Sequence, residues 1–173
     1  MSATRLGVLV LCVGNRDRGD DGFGLAVADR LEGYLPKGTR LIRCSGDVLG
    51  LIEDLSSCEA LVCVDAAAPI TVPGTIHRID LGSEDLPSDL DMVSSHTFGL
   101  TEAITLARAL ELSPPKIVVF AIEGWSFQLG APMTPQALQA IGPLGARVLA
   151  EVQGLLAKAG CCTVKANAPP ISR

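Results

Sequence analysis

The amino-acid sequence predicts an α/β fold, a three-layer α/β/α domain with a mainly parallel, mixed central sheet of about five strands. Two observations predict this class. Aliphatic runs suited to buried strands alternate along the chain with segments whose apolar residues recur at helical spacing. Apolar residues make up 48% of the 173 residues but aromatic residues only 3%, so the core must be built from aliphatic side chains. Such alternation is typical of a parallel sheet covered on both faces.

Strands and helices alternate from the start of the chain. Residues 6–13 form a continuous aliphatic run, as expected of a strand buried on both faces. After Gly22 the apolar residues recur at helical spacing until Pro36, which does not continue a helix. The pattern predicts, in order, a strand at 6–13, a helix at 23–35, a strand at 39–44, a helix at 48–55, a strand at 60–65 and an edge strand at 75–80.

The second half of the chain continues this alternation. Thr134 is suited to cap the last helix and Pro135 to occupy its first position. Pro143 is expected to kink or split that helix. The pattern predicts a polar loop at 82–95, a helix at 97–110, a strand at 116–122 and a final helix that runs to about residue 158.

Length and composition restrict the organisation and the partners of the protein. We expect one domain over residues 1–160, acting as a monomer, and a disordered tail over residues 161–173. The net charge of −5 disfavours a nucleic-acid surface, which needs clustered Lys and Arg. The apolar run at 6–13 is too short to cross a bilayer, so we expect no membrane insertion and a cytoplasmic location. Six cysteines without C-x-x-C spacing are expected to be free thiols.

Polar residues stand at the ends of several predicted elements. Asp20 and Asp21 follow the first strand, Asp65 closes the apolar run at 60–65, and His96 begins a helical segment. In open parallel sheets, functional sites collect outside the carboxyl ends of strands. Alone, each residue has a simpler explanation, such as capping, although capping explains only one of the two adjacent carboxylates. Together, two carboxylates and an imidazole are typical of a three-ligand metal site with open positions.

The sequence contains a second histidine, which we interpret differently. His77 lies between Ile76 and Arg78 in the predicted edge strand, and a surface role is the better interpretation.

Four motifs in this order resemble those of the hydrogenase maturation proteases, which process the large subunit of nickel–iron hydrogenases. The family pattern is G-N-x-x-x-x-D-[ED]-G-x-G after the first strand, a V-D-A strand end, an S-x-H-x-x-G segment, and a last strand with the entry to the final helix. Here these stand as Gly14-Asn15 through Asp20-Asp21-Gly22-Phe23-Gly24, as Val64-Asp65-Ala66, as Ser94-Ser95-His96-Thr97-Phe98-Gly99, and as Ile122-Glu123-Gly124 followed by Leu129-Gly130-Ala131-Pro132-Met133-Thr134-Pro135.

The resemblance implies an endopeptidase that removes the C-terminal extension of a hydrogenase large-subunit precursor after nickel insertion. Asp21, Asp65 and His96 match the positions at which family members contact nickel, and they are therefore the candidate catalytic and metal-contacting residues. In this interpretation the nickel arrives with the precursor and is the feature that the protease recognises. The loop at Arg16, Asp17 and Arg18 departs from the family, where apolar or small residues are usual.

Two other functions are compatible with these observations, and the first of them uses the same three residues. The first is a non-catalytic, metal-dependent binding module or chaperone that recognises a metal-loaded partner and leaves its chain intact. The second is a metallohydrolase that keeps its own tightly bound ion. A binding module leaves the mass of its partner unchanged after incubation, whereas a protease shortens the partner. A metallohydrolase with its own ion contains metal when purified without substrate.

Overall fold

The computed structural model describes residues 6–46, 49–81, 100–114 and 116–165. In order along the chain its strands and helices are β1 (Leu6–Val13), α1 (Phe23–Leu31), β2 (Thr39–Cys44), α2 (Ile52–Ser56), β3 (Cys58–Ala67), β4 (Ile76–Leu81), α3 (Leu100–Ala109), β5 (Lys116–Glu123) and α4 (Pro135–Lys165). Short 3-10 helices at Gly19–Gly22 and Leu49–Leu51 precede α1 and α2.

The strands form a five-stranded mixed sheet in the order β2-β1-β3-β5-β4. β1 pairs in parallel with both β2 and β3, and β3 pairs in parallel with β5. β4 is the antiparallel strand at one edge. The predicted fold class is therefore confirmed.

Each face of the sheet packs against helices of its own. Alternate residues of the central strands point to opposite faces, so the core consists of two aliphatic clusters. The face that carries Val62 and Val64 of β3 packs against α1 and α4. The face that carries Leu61 and Cys63 packs against α2 and α3, through side chains such as Ile104. These are the three predicted layers.

The connections create a switch point between β1 and β3. The chain leaves β1 toward β2 on one side and later returns to β3 on the other side. A Cβ atom added at Gly24 would clash with the carbonyl oxygens of Val13 and Val64. The first turn of α1 therefore lies directly on the carboxyl ends of β1 and β3, where sites occur in such sheets.

Two elements are longer than the sequence predicts. β3 does not end at Asp65, because Ala66 and Ala67 continue the ladder opposite Ile122 and Glu123 of β5. α4 continues through Pro143 without a break and reaches Lys165, the last described residue, beyond the expected end.

Two predicted helices do not match the described helices over their whole length. The first is shorter than predicted, because the N–H of Tyr34 donates to the carbonyl of Leu31 in a turn that follows α1. The helix expected at 97–110 is described from Leu100 onward. Helix α4 includes residues 161–165 of the predicted tail, while 166–173 lie outside the described residues, so the division into domain and tail stays a prediction.

The buried cysteines lie in or beside the strands. Cys12, Cys44, Cys58 and Cys63 are free thiols, as predicted. Burial raises the pKa of the Cys12 thiol to about 12. Burial, with the nearby Asp65 carboxylate, raises the pKa of Cys63 well above its usual range. The Cys12 and Cys63 thiols are therefore protonated at neutral pH and unsuited to nucleophilic chemistry.

We expect Gly24→Ala to lower the free energy of unfolding by about 1–3 kcal/mol, because the added methyl group has no space above β1 and β3. Urea unfolding followed by circular dichroism measures this change. Gly154→Ala is the matched control, since a Cβ atom at Gly154 in α4 meets nothing within 4 Å. The control should raise stability by up to about 1 kcal/mol. Equal effects of the two substitutions would contradict the close approach at Gly24.

Candidate functional site

Asp21 and Asp65 lie at the same edge of the sheet, as predicted. Asp21 belongs to the 3-10 helix Gly19–Gly22, which packs against β3, and Asp65 belongs to β3 itself. Each residue is 1% exposed. The Oδ1 atom of Asp65 accepts a hydrogen bond of 2.8 Å from the N–H of Ala66, which holds this carboxylate next to its own backbone.

The burial of the Asp21 and Asp65 carboxylates bears on whether this edge can bind a cation. An ionised carboxylate removed from water costs free energy unless a cation or hydrogen-bond donors offset the cost. Two of them at one edge also repel each other. A cation brought to this edge is therefore favoured electrostatically, and oxygen ligands of this type accept divalent metals.

His96, the third predicted ligand, lies outside the described residues. Helix α3 begins four residues after it and contributes Ala103, Ile104 and Ala107 to the cluster on the face that carries Cys63. Asp65 shares that face, because it lies two residues further along β3. Within the described part of the chain, no three His, Cys, Asp or Glu side chains are grouped to hold a metal. The ligand set of Asp21, Asp65 and His96 stays a prediction.

Asp20 has a separate role from its neighbour. Its side chain is fully buried, and four donors surround the carboxylate. Oδ2 accepts from the N–H of Trp125 at 2.8 Å and of Ser126 at 3.1 Å, and Oδ1 accepts from the N–H of Thr134 at 2.7 Å. The hydroxyl of Thr134 donates to Oδ1 at 2.9 Å. Asp20 thus binds both ends of the loop at 124–134, which we call the β5–α4 loop.

Backbone contacts join the same two segments. The N–H of Asp20 donates to the carbonyl of Ser126 at 2.7 Å, and the N–H of Gly130 donates to the carbonyl of Asp17 at 2.6 Å. A Cβ atom at Gly124 would lie 2.8 Å from the Cβ of Asp20, so the close approach requires glycine. The loop after β1 and the β5–α4 loop are therefore one hydrogen-bonded unit.

Two arginines of the loop after β1 contact neighbouring segments, Arg16 helix α1 and Arg18 the β5–α4 loop. Both terminal oxygens of Asp29 in α1 accept from the guanidinium of Arg16, at 2.9 and 2.7 Å. The Nε of Arg18 donates to the carbonyl of Phe127 at 3.3 Å. The sequence leaves open whether Asp20 substitutes for Asp21 as a ligand or orients it. In the structure the Asp20 oxygens already accept four hydrogen bonds, which favours an anchoring role.

A further buried carboxylate, that of Glu123, organises the loop between β3 and β4, residues 68–75. Glu123, at the end of β5, is fully buried. It accepts hydrogen bonds from the N–H groups of Ile70 at 2.9 Å and Thr71 at 2.7 Å, and from the hydroxyl of Thr71 at 2.9 Å. Its Oε1 atom lies 2.6 Å from Nε2 of His77. Burial alone would raise the pKa of Glu123, but these hydrogen bonds outweigh it and lower the pKa to about 2.

The sequence does not predict the pair formed by His77 and Glu123. It indicates a surface role for His77, but the ring is half-buried and contacts Glu123. The alternation of strand β4 is the one pattern that points to this burial. In an alternating strand, His77 shares a face with Ile79 and Leu81, and both of these pack against the core.

Comparisons with known proteins agree with this fold. The family model for hydrogenase maturation proteases, HycI, matches residues 26–151. The hydrogenase expression/formation protein HupD of Thiocapsa roseopersicina is 26% identical over 141 residues, which cover 79% of this chain and 63% of HupD. The chain spans about three fifths of the length of the curated relatives it matches.

Solved structures show the same architecture. The hydrogenase maturating endopeptidase HybD from E. coli superposes with a TM-score of 0.73 at 22% identity, covering 86% of this chain and 93% of that chain. The hydrogenase 2 maturation peptidase from a Thaumarchaeota archaeon superposes with a TM-score of 0.64 at 26% identity, covering 86% of this chain and 99% of the other. Among the described residues, no helix is long and apolar enough to span a membrane.

We expect Asp20→Asn to lower the free energy of unfolding by about 2 kcal/mol, because one acceptor oxygen is replaced by a donor that faces buried N–H groups. The β5–α4 loop should also become more sensitive to limited proteolysis. Urea unfolding and the cleavage pattern measure the two effects. Asp17→Asn is the matched control in the same loop, and it should change stability by less than about 0.5 kcal/mol because Asp17 is exposed. Equal stability of both variants would contradict the anchoring role.

Glu123 should make the stability of the protein depend on pH in the acid range. The fold holds the pKa of this group at about 2, below its ordinary value of 4.5, so the ionised form stabilises the folded state fully above pH 4.5. This stabilisation is lost as the pH falls toward 2. The difference in unfolding free energy between the wild type and Glu123→Gln should therefore shrink across that window. A difference independent of pH would show that Glu123 is not held ionised.

Proposed function

Since this chain belongs to the hydrogenase maturation protease family, we propose that it is an endopeptidase that removes the C-terminal extension of a nickel–iron hydrogenase large-subunit precursor. The observation that carries the proposal is the position of Asp21 and Asp65. Both carboxylates are buried at the carboxyl edge of β1 and β3, at the switch point of a fold shared with maturation endopeptidases.

The proposed substrate brings its own metal. In this proposal nickel is already bound to the precursor when the two proteins meet, and Asp21, Asp65 and His96 complete its coordination. The protease would then bind the nickel-loaded precursor more tightly than the empty one, because only the loaded form brings a cation to the buried carboxylates. Cleavage is thereby restricted to precursors that have received nickel.

The loops beside the carboxylates would form the docking surface. Asp20 holds the β5–α4 loop and Glu123 holds the loop at 68–75, so both are ordered before a partner binds. Preorganised loops reduce the entropy cost of binding a flexible chain end. We further propose that the protein works as a monomer in the cytoplasm, where its thiols stay reduced.

The test is the intact mass of a large-subunit precursor after incubation with the purified protein, with and without nickel. We expect a shortened large subunit and a released C-terminal peptide only in the nickel-loaded sample. Complex formation without loss of mass would contradict the proposed protease activity and indicate a non-catalytic binding module instead.

Asp21→Ala, Asp65→Ala and His96→Ala should each reduce processing of the loaded precursor at least about a hundredfold, because each removes a proposed contact to the precursor-bound nickel. Rates are measured from the loss of precursor mass with time, and thermal unfolding verifies that each variant is folded. Glu59→Gln is the matched control, since Glu59 is an exposed carboxylate near the opposite end of β3. Wild-type rates in the three alanine variants would refute the proposed site.

A further inference from the structure

His77 lies in the same row of the sheet as Asp65. Asp65 of β3 is paired with Ala121 of β5, and Ala121 is paired in turn with His77 of β4. The three residues share the face that packs against α3, because their neighbours two positions away belong to that cluster. Neighbouring strands lie about 4.8 Å apart, so roughly 10 Å separates the Cα atoms of Asp65 and His77.

His77 is the accessible member of this row. Its side chain is 39% exposed, whereas Asp65 and Ala121 are buried. The side chains of Asp65 and His77 extend from one face, so the groups that they carry can act on different atoms of one bound peptide. A small residue, Ala121, stands between them.

The buried Glu123 carboxylate determines which ring nitrogen of His77 donates the hydrogen bond between them. Glu123 is ionised at neutral pH, since its hydrogen bonds lower its pKa to about 2, and an ionised carboxylate only accepts hydrogen bonds. Nε2 of His77, 2.6 Å from Oε1 of Glu123, must therefore be the donor. In the neutral ring the proton is on Nε2, and Nδ1 keeps its lone pair.

This arrangement has the form of the carboxylate–histidine pair found in hydrolases. A buried carboxylate there orients the imidazole, fixes its tautomer and stabilises the imidazolium that forms during the reaction. We propose that His77 is a catalytic residue of this protein, with Nδ1 as the group that carries the proton during peptide-bond hydrolysis. The inference rests on the proposed peptidase function.

The proton transfers of this step balance without a further reactant. Nδ1 of His77 takes one proton from water as the water oxygen bonds to the scissile carbonyl carbon, and the electron pair of the C=O π bond moves to the carbonyl oxygen. When the C=O bond forms again, the C–N bond breaks, its electron pair goes to the leaving nitrogen, and His77 returns the proton to that nitrogen. The products are a carboxylic acid, which keeps the second proton of the water, and an amine; these ionise in water to a carboxylate and an ammonium group, and His77 is neutral again.

If His77 only held the loop in place, a substitution that keeps the hydrogen bond to Glu123 would leave the cleavage rate unchanged. The loop at 68–75 is already held by three donors to Glu123, namely the N–H of Ile70 and the N–H and hydroxyl of Thr71. A structural fourth donor needs only an N–H group, which glutamine also supplies. Proton transfer needs the second, basic nitrogen of histidine.

The test compares single-turnover cleavage of nickel-loaded precursor by the wild type and His77→Gln. We expect the glutamine side chain to keep the hydrogen bond to Glu123, so thermal unfolding and precursor affinity should stay near wild type. The cleavage rate should fall by roughly 10²–10⁴-fold, the usual contribution of a general acid–base group. In His77→Ala, added imidazole should restore part of the rate, and more basic substituted imidazoles should restore more.

Arg78→Gln is the matched control, because Arg78 follows His77 in β4 but lies on the opposite face of the sheet, where it pairs with Glu151 and not with Glu123. It should retain a cleavage rate close to that of the wild type. Cleavage by His77→Gln at the wild-type rate, or a loss confined to precursor affinity, would overturn the role of His77. Failure of the wild type to cleave any loaded precursor would instead overturn the proposed peptidase function.

Discussion

Four hydrogen bonds to the buried Asp20 carboxylate fix the geometry of the carboxyl edge. The donors are backbone and hydroxyl groups at both ends of the β5–α4 loop, and Asp20 itself lies next to Asp21. The carboxylate therefore positions two segments at once, the loop that carries Asp21 and the start of α4. A buried charge is costly when its partners are missing, so this network favours one arrangement of the edge over alternatives.

Glu123 holds the neighbouring loop, residues 68–75, in the same way, as a buried carboxylate that accepts hydrogen bonds from loop residues. Its donors come from residues 70 and 71 and from His77, so the end of β5 is bonded to the loop that follows β3 and to the edge strand β4. Strand β3, which lies between β1 and β5, carries Asp65. The edge that would receive a precursor is thus ordered by the buried carboxylates of Asp20 and Glu123, and the proposed function assigns metal recognition to Asp21 and Asp65.

The sequence predicts local patterns and parallel topology well, and contacts between distant residues poorly. The aliphatic runs give the strands, and the shared edge of parallel strands gives the proximity of Asp21 and Asp65. The partners of Asp20 are 105 to 114 residues away, and Glu123 is 46 residues from His77. No local pattern encodes such pairs, because they depend on how the loops fold back across the finished sheet.

Native-state hydrogen exchange of the amides of Trp125, Ser126 and Thr134 measures directly whether Asp20 orders the carboxyl edge. These amides belong to a loop, but each donates to Asp20. If the buried carboxylate orders the edge, they should exchange nearly as slowly as the amides of β3 and β5 and open only with large-scale unfolding. Exchange at the rate of exposed loop amides would contradict the ordering role of Asp20, since the loop would then be open in the free protein.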